Sequence, residues 1–88
     1  MKVLFRESFL KDVEALRESA VKQRVQRSIA QVKQAATLKD VRNLKRLKGS
    51  DSCYRIRIGD YRLGLVLEES AVVFTRCMHR KDIYRYFP

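Results

Sequence analysis

Hydrophobic and polar residues alternate on both sides of Gly59-Asp60, from Tyr54 to Leu67. Strict alternation is typical of strands with one buried face, and glycine in a two-residue turn supplies the φ > 0 position that a tight hairpin needs. With this turn, four pairs face each other across the strands: Ile58–Tyr61, Arg57–Arg62, Ile56–Leu63 and Arg55–Gly64. One face of the hairpin is then apolar, formed by Tyr54, Ile56, Ile58, Tyr61, Leu63, Leu65 and Leu67.

The opposite face of this hairpin gathers three arginines, Arg55, Arg57 and Arg62, around Gly64. Like charges placed directly across a strand pair destabilise it. Arg57 opposite Arg62 therefore indicates that an anion belongs between them. The alternative is a solvated basic surface, which is the role of most charged strand faces.

The segment before the hairpin predicts one strand and two helices. Lys2 to Arg6 is rich in residues that favour strands. Ser8 is placed to cap a first helix, whose apolar residues recur at spacings of four and three: Phe9, Val13 and Leu16. After a break near Glu18-Ser19, a second, longer helix carries the apolar stripe Val21, Val25, Ile29, Val32 and Ala36. This helical hairpin is expected to cover one side of a sheet, with its basic face either solvated or touching phosphate.

The rest of the chain completes the sheet. Thr37 to Lys48 predicts a helical turn followed by an extended segment, and Gly49 to Ser52 predicts a loop. Ala71 to Cys77 predicts a further strand. Pairing Glu68 with Ala71 would place Val73, Thr75 and Cys77 on the arginine side, and Arg76 on the apolar side. A short tail, with room for a helical turn, ends the chain.

These elements predict a single α+β domain over residues 1–88. Its order is β-α-α-β-β-β, with an antiparallel sheet packed on the N-terminal helical hairpin and the other sheet face open and cationic.

The net charge of the chain limits the classes of partner that it is expected to bind. The chain has 20 Lys and Arg against 10 Asp and Glu, a net charge of +10 on 88 residues. Such an excess favours nucleic acid, an acidic protein or an anionic membrane surface as partner. No apolar run approaches the roughly 20 residues that span a bilayer, and the N-terminus has no signal-peptide pattern, so a cytoplasmic location is expected. Cys53 and Cys77 fall at distant strand ends, which predicts free thiols. One histidine and no CxxC pair give a zinc site no support.

Three segments together resemble the RelE/ParE superfamily of bacterial type II toxins. They are Leu47-Lys48-Gly49, the run from Tyr54 to Arg62, and His79-Arg80-Lys81-Asp82-Ile83-Tyr84. The resemblance spans essentially the whole chain. It implies a small basic toxin that pairs with an acidic antitoxin. RelE-like members cleave mRNA in the ribosomal 30S A site, whereas ParE-like members poison DNA gyrase, so the fold alone does not choose between them.

The resemblance also implies a site. RelE-like toxins carry two cations two residues apart on one strand, matched by Arg55 and Arg57, and an arginine after a tyrosine on the next strand, matched by Arg62. A further arginine ends the last strand and a tyrosine follows in the tail, which match Arg80 and Tyr84, with Tyr86 as the other candidate for the tyrosine. Two departures stand out: the strand cations are arginines where the best-known member has lysines, and His79 is seen in only part of the family.

The chemistry implied is attack of an RNA 2′-OH on the adjacent phosphate, with no metal or cofactor. Arg57, Arg62 and Arg80 would stabilise the transition state, since a guanidinium holds phosphate oxygens bidentately. Arg55 lies opposite Gly64, and the small size of this glycine would let a nucleotide backbone approach Arg55. A cluster of cations favours the anionic form of a nearby tyrosine, which is the case for Tyr84 as base. His79 competes because histidine titrates near neutrality. Tyr84 and Tyr86 could instead stack on a base or simply pack.

Further residues and partners complete the hypothesis. Lys45, Arg46 and Lys48 could extend the same basic surface toward RNA. The expected partners are an acidic antitoxin, in a hetero-oligomer, and mRNA on the ribosome; no membrane is expected, and the free toxin is expected to be a monomer. Gyrase inhibition is the alternative function, since it would not require converging arginines and a tyrosine. A plain RNA-binding module, with salt-dependent binding and no cleavage, is the third hypothesis.

Overall fold

A computed structural model of the protein describes all residues, 1–88. Five strands form one sheet in the order β1-β5-β4-β3-β2. They are β1 (Lys2–Phe5), β2 (Leu44–Arg46), β3 (Cys53–Ile58), β4 (Tyr61–Glu68) and β5 (Ala71–His79). β1 runs parallel to β5 and all other pairs are antiparallel. The α+β class and the element order are as predicted, but the sheet is mixed, and the extended segment before the loop pairs with β3 as a short extra strand.

Two helices follow β1 and cover one face of the sheet. They are α1 (Glu7–Glu14) and α2 (Ser19–Gln34), and a single 3-10 turn follows at Leu38–Asp40. The prediction that Ser8 caps α1 is wrong. Arg6 occupies the cap position, and the Ser8 hydroxyl donates to the Thr75 carbonyl oxygen at 2.7 Å. β5 continues past the end of β1, so this carbonyl at the sheet edge accepts the hydroxyl.

The core lies between the two helices and the predicted apolar face of the hairpin. Phe9, Val25 and Val32 from the helices and Ile56, Leu63 and Phe74 from the strands are each 2% exposed or less. The burial of Ile56 and Ile58 on β3, and of Leu63 and Leu65 on β4, confirms the predicted apolar face of both strands. None of the helices is long and apolar enough to cross a bilayer.

The β3–β4 hairpin has the predicted turn and register. Gly59 has φ +57°, and Arg57 pairs with Arg62 while Arg55 pairs with Gly64. The turn therefore needs the left-handed backbone conformation that glycine adopts without strain. Because the register matches, Arg55, Arg57 and Arg62 share the face of the sheet opposite the helices.

The β4–β5 ladder departs from prediction because it contains a bulge. Leu65 pairs with Phe74, but Gly64 pairs with Arg76, which leaves Thr75 as an extra residue. An extra residue inverts the faces of everything beyond it. Cys77 is therefore in the core at 3% exposure, and Arg76 lies across from Gly64 on the arginine face. The sequence-based placement of these two residues is wrong.

The C-terminal tail covers part of the face that was expected to be open. After β5, a short helix α3 (Ile83–Tyr86) leads to Phe87, and Ile83 and Phe87 are 0% and 2% exposed. A Cβ atom on Gly64 would lie 2.7 Å from the Phe87 ring. Gly64 thus makes room for Phe87, not for a nucleotide backbone.

Both cysteines are free, as predicted. Burial, assisted by the nearby negative charge of Asp12, raises the pKa of the Cys77 thiol to about 12. Cys77 therefore stays a neutral, packed side chain at physiological pH.

Candidate active site

The candidate site is built on the exposed half of the sheet face opposite the helices. Arg57 on β3 lies directly across from Arg62 on β4. Each strand presents alternate residues on this face, so Arg55 lies beside them two residues from Arg57. The three guanidinium groups at adjacent positions repel one another, and a bound anion would relieve this repulsion.

Arg62 is the best-held member of this group. Its Nη1 donates to the carbonyl oxygens of Gly59 at 2.7 Å and Tyr61 at 3.0 Å. The side chain is therefore tied to the hairpin turn that precedes it, which orders the guanidinium before any ligand arrives. The other guanidinium N–H groups are free to donate to an anion.

Charge around Arg62 shows which groups converge on it. Partial burial lowers the pKa of Arg62, and the positive charges of Arg55, Arg57 and Arg80 lower it further. Tyr84 acts in the opposite direction. The guanidinium still carries its charge at neutral pH, because arginine loses its proton only far above that range. The predicted residues Arg55, Arg57, Arg80 and Tyr84 thus all lie close enough to Arg62 to act on its charge, and these five residues form the arginine cluster.

Arg80 joins the cluster because the end of β5 is tied to the hairpin turn. Its backbone N–H donates to the Asp60 carbonyl oxygen at 2.7 Å, and its Nε lies 3.8 Å from Asp60 Oδ1. Both side chains are more than half exposed, so this ion pair is weak and leaves Arg80 able to reach an anion.

The two tail tyrosines have different surroundings. Both are exposed, Tyr84 by 58% and Tyr86 by 56%. Tyr84 interacts with Arg62, whereas the ring of Tyr86 lies 5.3 Å from Arg76 Cζ in a cation–π contact. Ile83 and Phe87 are buried on either side and fix α3, so Tyr84 is the tyrosine that the fold holds beside the arginine cluster.

His79 is not brought into this cluster. It pairs with Tyr61, whose side chain alternates onto the helix-facing side of the sheet, and the two rings meet edge to face at 5.6 Å. His79 Nδ1 accepts the Lys81 backbone N–H at 3.1 Å. The ring lines a cleft with Asp12 and Glu18, on the side of the sheet away from Arg57 and Arg62.

The cations before the hairpin divide between the two faces. Lys45 pairs with Arg55 and shares the arginine face, where both line a cleft of about 260 Å³. Arg46 pairs with Tyr54 and therefore alternates to the helix side. Lys48 is exposed in the loop after β2. Of the three, the register brings only Lys45 into line with the cluster.

Two features of the site were missed from the sequence. Phe87 anchors the tail on Gly64, and Arg76 is neutralised by Asp12 of α1. Asp12 accepts from Arg76 Nε at 2.8 Å, from its Nη2 at 3.1 Å and from the Cys77 backbone N–H at 2.9 Å. A glycine inside a strand often marks close approach of another group, so Gly64 did carry a signal for the first feature. The second depends on the bulge, which the alternation pattern does not show.

Comparisons with known proteins identify the family of this chain. A family model described as ParE toxin of type II toxin-antitoxin system, parDE, matches residues 3–84. The chain is 37% identical over 89 residues to Toxin RelE3 of Methanocaldococcus jannaschii, covering 100% of both proteins.

Solved structures of toxins share the fold. The RelB-RelE antitoxin-toxin complex from Methanococcus jannaschii has a TM-score of 0.80 at 34% identity, covering 97% of this chain and 99% of the other. The intact E. coli RelBE toxin-antitoxin complex has a TM-score of 0.70 at 22% identity, covering 89% and 94%. The second likeness shows the fold alone, whereas the first and the RelE3 match, at 34% and 37% identity over nearly the whole chain, also show the family. This chain belongs to the RelE/ParE superfamily of type II toxin–antitoxin toxins, on its RelE side.

Proposed function

We propose that this toxin is a ribosome-dependent mRNA endoribonuclease that cuts mRNA in the ribosomal A site and so inhibits translation. The observation that carries the proposal is the convergence of Arg57, Arg62 and Arg80 with Tyr84 on one exposed surface. A toxin that only bound a protein would not need four groups suited to phosphate chemistry around one point. The similarity to Toxin RelE3 supports the same assignment.

The proposed reaction is transesterification without a metal ion. The RNA 2′-oxygen bonds to the adjacent phosphorus while the bond from phosphorus to the 5′-oxygen breaks. The products are a 2′,3′-cyclic phosphate and a 5′-OH. The 2′-OH must lose a proton, the leaving 5′-oxygen must gain one, and the pentavalent transition state carries extra negative charge.

The arginines are proposed to stabilise that transition state. Arg62, ordered by two backbone carbonyls, and Arg57 opposite it provide two guanidinium forks across a gap of one strand spacing. Arg80 adds a third cation from the end of β5. A bound phosphate reduces the electrostatic repulsion among these arginines, and this reduction favours substrate binding.

Tyr84 is proposed as the base that accepts the 2′-OH proton. It is exposed, its position is fixed by the buried Ile83 beside it, and it interacts electrostatically with Arg62 of the arginine cluster. Tyr86 packs over Arg76 and His79 lies on the other side of the sheet, so neither is proposed for this role. Arg55 and Lys45, which face each other across β2 and β3, are proposed to bind RNA on one side of the cleaved bond. A weak base explains why the ribosome is needed to position the substrate.

The proposed partners follow from charge and similarity. A net charge of +10 calls for an acidic antitoxin, and two similar structures are antitoxin–toxin complexes. We propose that this chain is held in such a hetero-oligomer in the cytoplasm and acts on ribosomes as a free monomer.

The test is cleavage on translating ribosomes with a defined mRNA, mapped by primer extension. Wild-type protein should cut within A-site codons, Arg62→Ala should not, and the matched control Arg17→Ala, on the helix side, should cut like wild type. Naked RNA should stay intact. Absence of cuts, together with inhibition of gyrase supercoiling by the same preparation, would overturn the nuclease proposal in favour of a gyrase inhibitor.

A further inference from the structure

A second cationic groove lies between α2 and β3, beside the candidate active site. It has a volume of about 240 Å³, and its walls carry Arg24, Arg27, Arg42 and Arg57 with the amides of Gln31 and Asn43 beside them. No carboxylate lines it. The basic face of α2, which the sequence left as solvated surface or phosphate contact, therefore meets two further arginines across a cleft.

The charges of this groove are not neutralised by the protein itself. The structure contains four ion pairs, formed by Arg6, Lys11, Arg76 and Arg80, and none includes a groove arginine. Arg24 is held close to the hairpin turn, since a Cβ on Gly59 would lie 3.0 Å from its Nη1. Four arginines that surround a cleft without a carboxylate form a site for an external anion.

The groove is continuous with the candidate active site. Arg57 lines it and also lines the cleft of about 260 Å³ that contains Lys45 and Arg55. A cationic path therefore runs from the sheet face, past Arg57 at the edge of β3, to Arg24 and Arg27 on α2. An extended chain with regularly spaced negative charges would follow this path.

The chemistry of the groove favours a nucleic acid backbone over an acidic peptide. Guanidinium groups bind phosphate bidentately, and amide side chains add neutral donors. A peptide that folds on binding needs apolar pockets for its anchors. Here the apolar lining is Ile56 and Ile58, which are 2% and 3% exposed and offer no such pocket.

We propose that this groove binds a stretch of RNA backbone that is not cleaved. The inference rests on the proposed nuclease function, because the groove would add contacts to RNA beyond the phosphate that is cut. The RNA is either the flanking part of the same mRNA or ribosomal RNA, and both present the same phosphodiester chemistry.

The test measures binding without cleavage. The probes are 2′-O-methyl RNAs, which have no free 2′-OH to attack: a trinucleotide, which fits the candidate site alone, and an oligonucleotide of about twelve residues. Vacant ribosomes are the third probe. The groove variant is Arg24→Gln/Arg27→Gln. The control, Lys22→Gln/Lys33→Gln, removes the same charge from the same helix outside the groove lining. All four side chains lie on the surface of α2, and circular dichroism checks that both variants fold.

The groove variant should bind the longer RNA or the ribosome about tenfold more weakly than the control near 0.15 M salt, and the slope of log affinity against log salt should fall by about 1.4. Trinucleotide binding should not differ between the two variants. Loss on the longer RNA assigns the groove to mRNA, and loss on vacant ribosomes alone assigns it to ribosomal RNA. Equal binding by both variants to every probe would overturn the inference. Because no probe is cut, the result does not depend on whether the protein is a nuclease.

Discussion

The two strand ladders that meet on β4 use arginine in opposite ways. In the β3–β4 ladder, Arg57 and Arg62 face each other without a carboxylate partner. In the β4–β5 ladder, Arg76 is bound bidentately by Asp12 and lies against Tyr86, beside a glycine that the Phe87 ring covers. One ladder keeps its charges available, and in the other the charge is neutralised and partly buried. The second ladder thereby fixes the tail that brings Tyr84 to the first.

The largest effect is expected from removing the tail's anchor. Phe87→Ala takes a ring that is 2% exposed out of contact with Gly64, which should cost about 3–5 kcal/mol of unfolding free energy. Urea unfolding would measure it. Phe5→Ala removes the same ring from a site that is 39% exposed and should cost clearly less. Equal losses would mean that the tail is not anchored as described.

The second-largest loss of stability is expected from breaking the ion pair between Asp12 and Arg76. Asp12→Asn removes the charge that accepts two bonds from Arg76 and one from the Cys77 backbone, so it should cost about 2–3 kcal/mol. Glu7→Gln breaks the exposed pair with Lys11 and is the control, expected to cost well under about 1 kcal/mol. Urea midpoints that matched for the two variants would contradict the stabilising role of the ion pair between Asp12 and Arg76.

Cys77 gives the β4–β5 ladder a pH dependence. Its pKa is raised from 9.0 to about 12 by burial, so between these values the thiol ionises in the unfolded chain but not in the folded one. The stability that Cys77 contributes is complete below pH 9 and is lost as pH rises toward 12. Relative to Cys77→Ala, wild type should lose about 2 kcal/mol between pH 8 and about pH 10.5. Val73→Ala, which removes no titrating group, should keep a constant difference.

Gly64→Ala tests the contact between the ladder and the tail by adding one methyl group. The new Cβ would lie 2.7 Å from the Phe87 ring, and the resulting displacement should cost about 1–2 kcal/mol. The double variant with Phe87→Leu should recover part of this loss, because a smaller side chain makes room. A double variant whose losses simply add would show that the two residues do not touch.

The smallest effect is a gain in stability at the other ladder. Arg62→Gln removes repulsion from Arg55, Arg57 and Arg80 and should raise the unfolding free energy by about 0.2–1 kcal/mol at low salt. Salt screens the same repulsion, so the gain should shrink as salt increases. A loss of stability at every salt concentration would mean that the two carbonyl bonds of Arg62 outweigh the repulsion.

The sequence predicted the β3–β4 ladder because every residue from Tyr54 to Leu63 obeys one alternation, and Gly59-Asp60 admits one tight turn. The arginine cluster followed from that register. The β4–β5 ladder was not predictable in the same way. Thr75 looks like an ordinary strand residue, so the alternation of hydrophobic and polar residues does not reveal the bulge. The bulge places Arg76 and Cys77 each on the face opposite to the one predicted for it. His79 was grouped with the site for a different reason, the resemblance and the titration of histidine near neutrality, although it faces the helices.

We propose that Arg62 acts in cleavage, whereas Arg76 stabilises the fold. The direct test is the single-turnover cleavage rate of A-site mRNA on programmed ribosomes, with unfolding free energies measured for the same preparations. Arg62→Ala should lower the rate at least about a hundredfold with stability at or above wild type. Arg76→Ala should lower stability and leave the rate of the folded fraction within a few-fold of wild type. Wild-type cleavage by Arg62→Ala, or equal rate losses in both variants, would contradict the account.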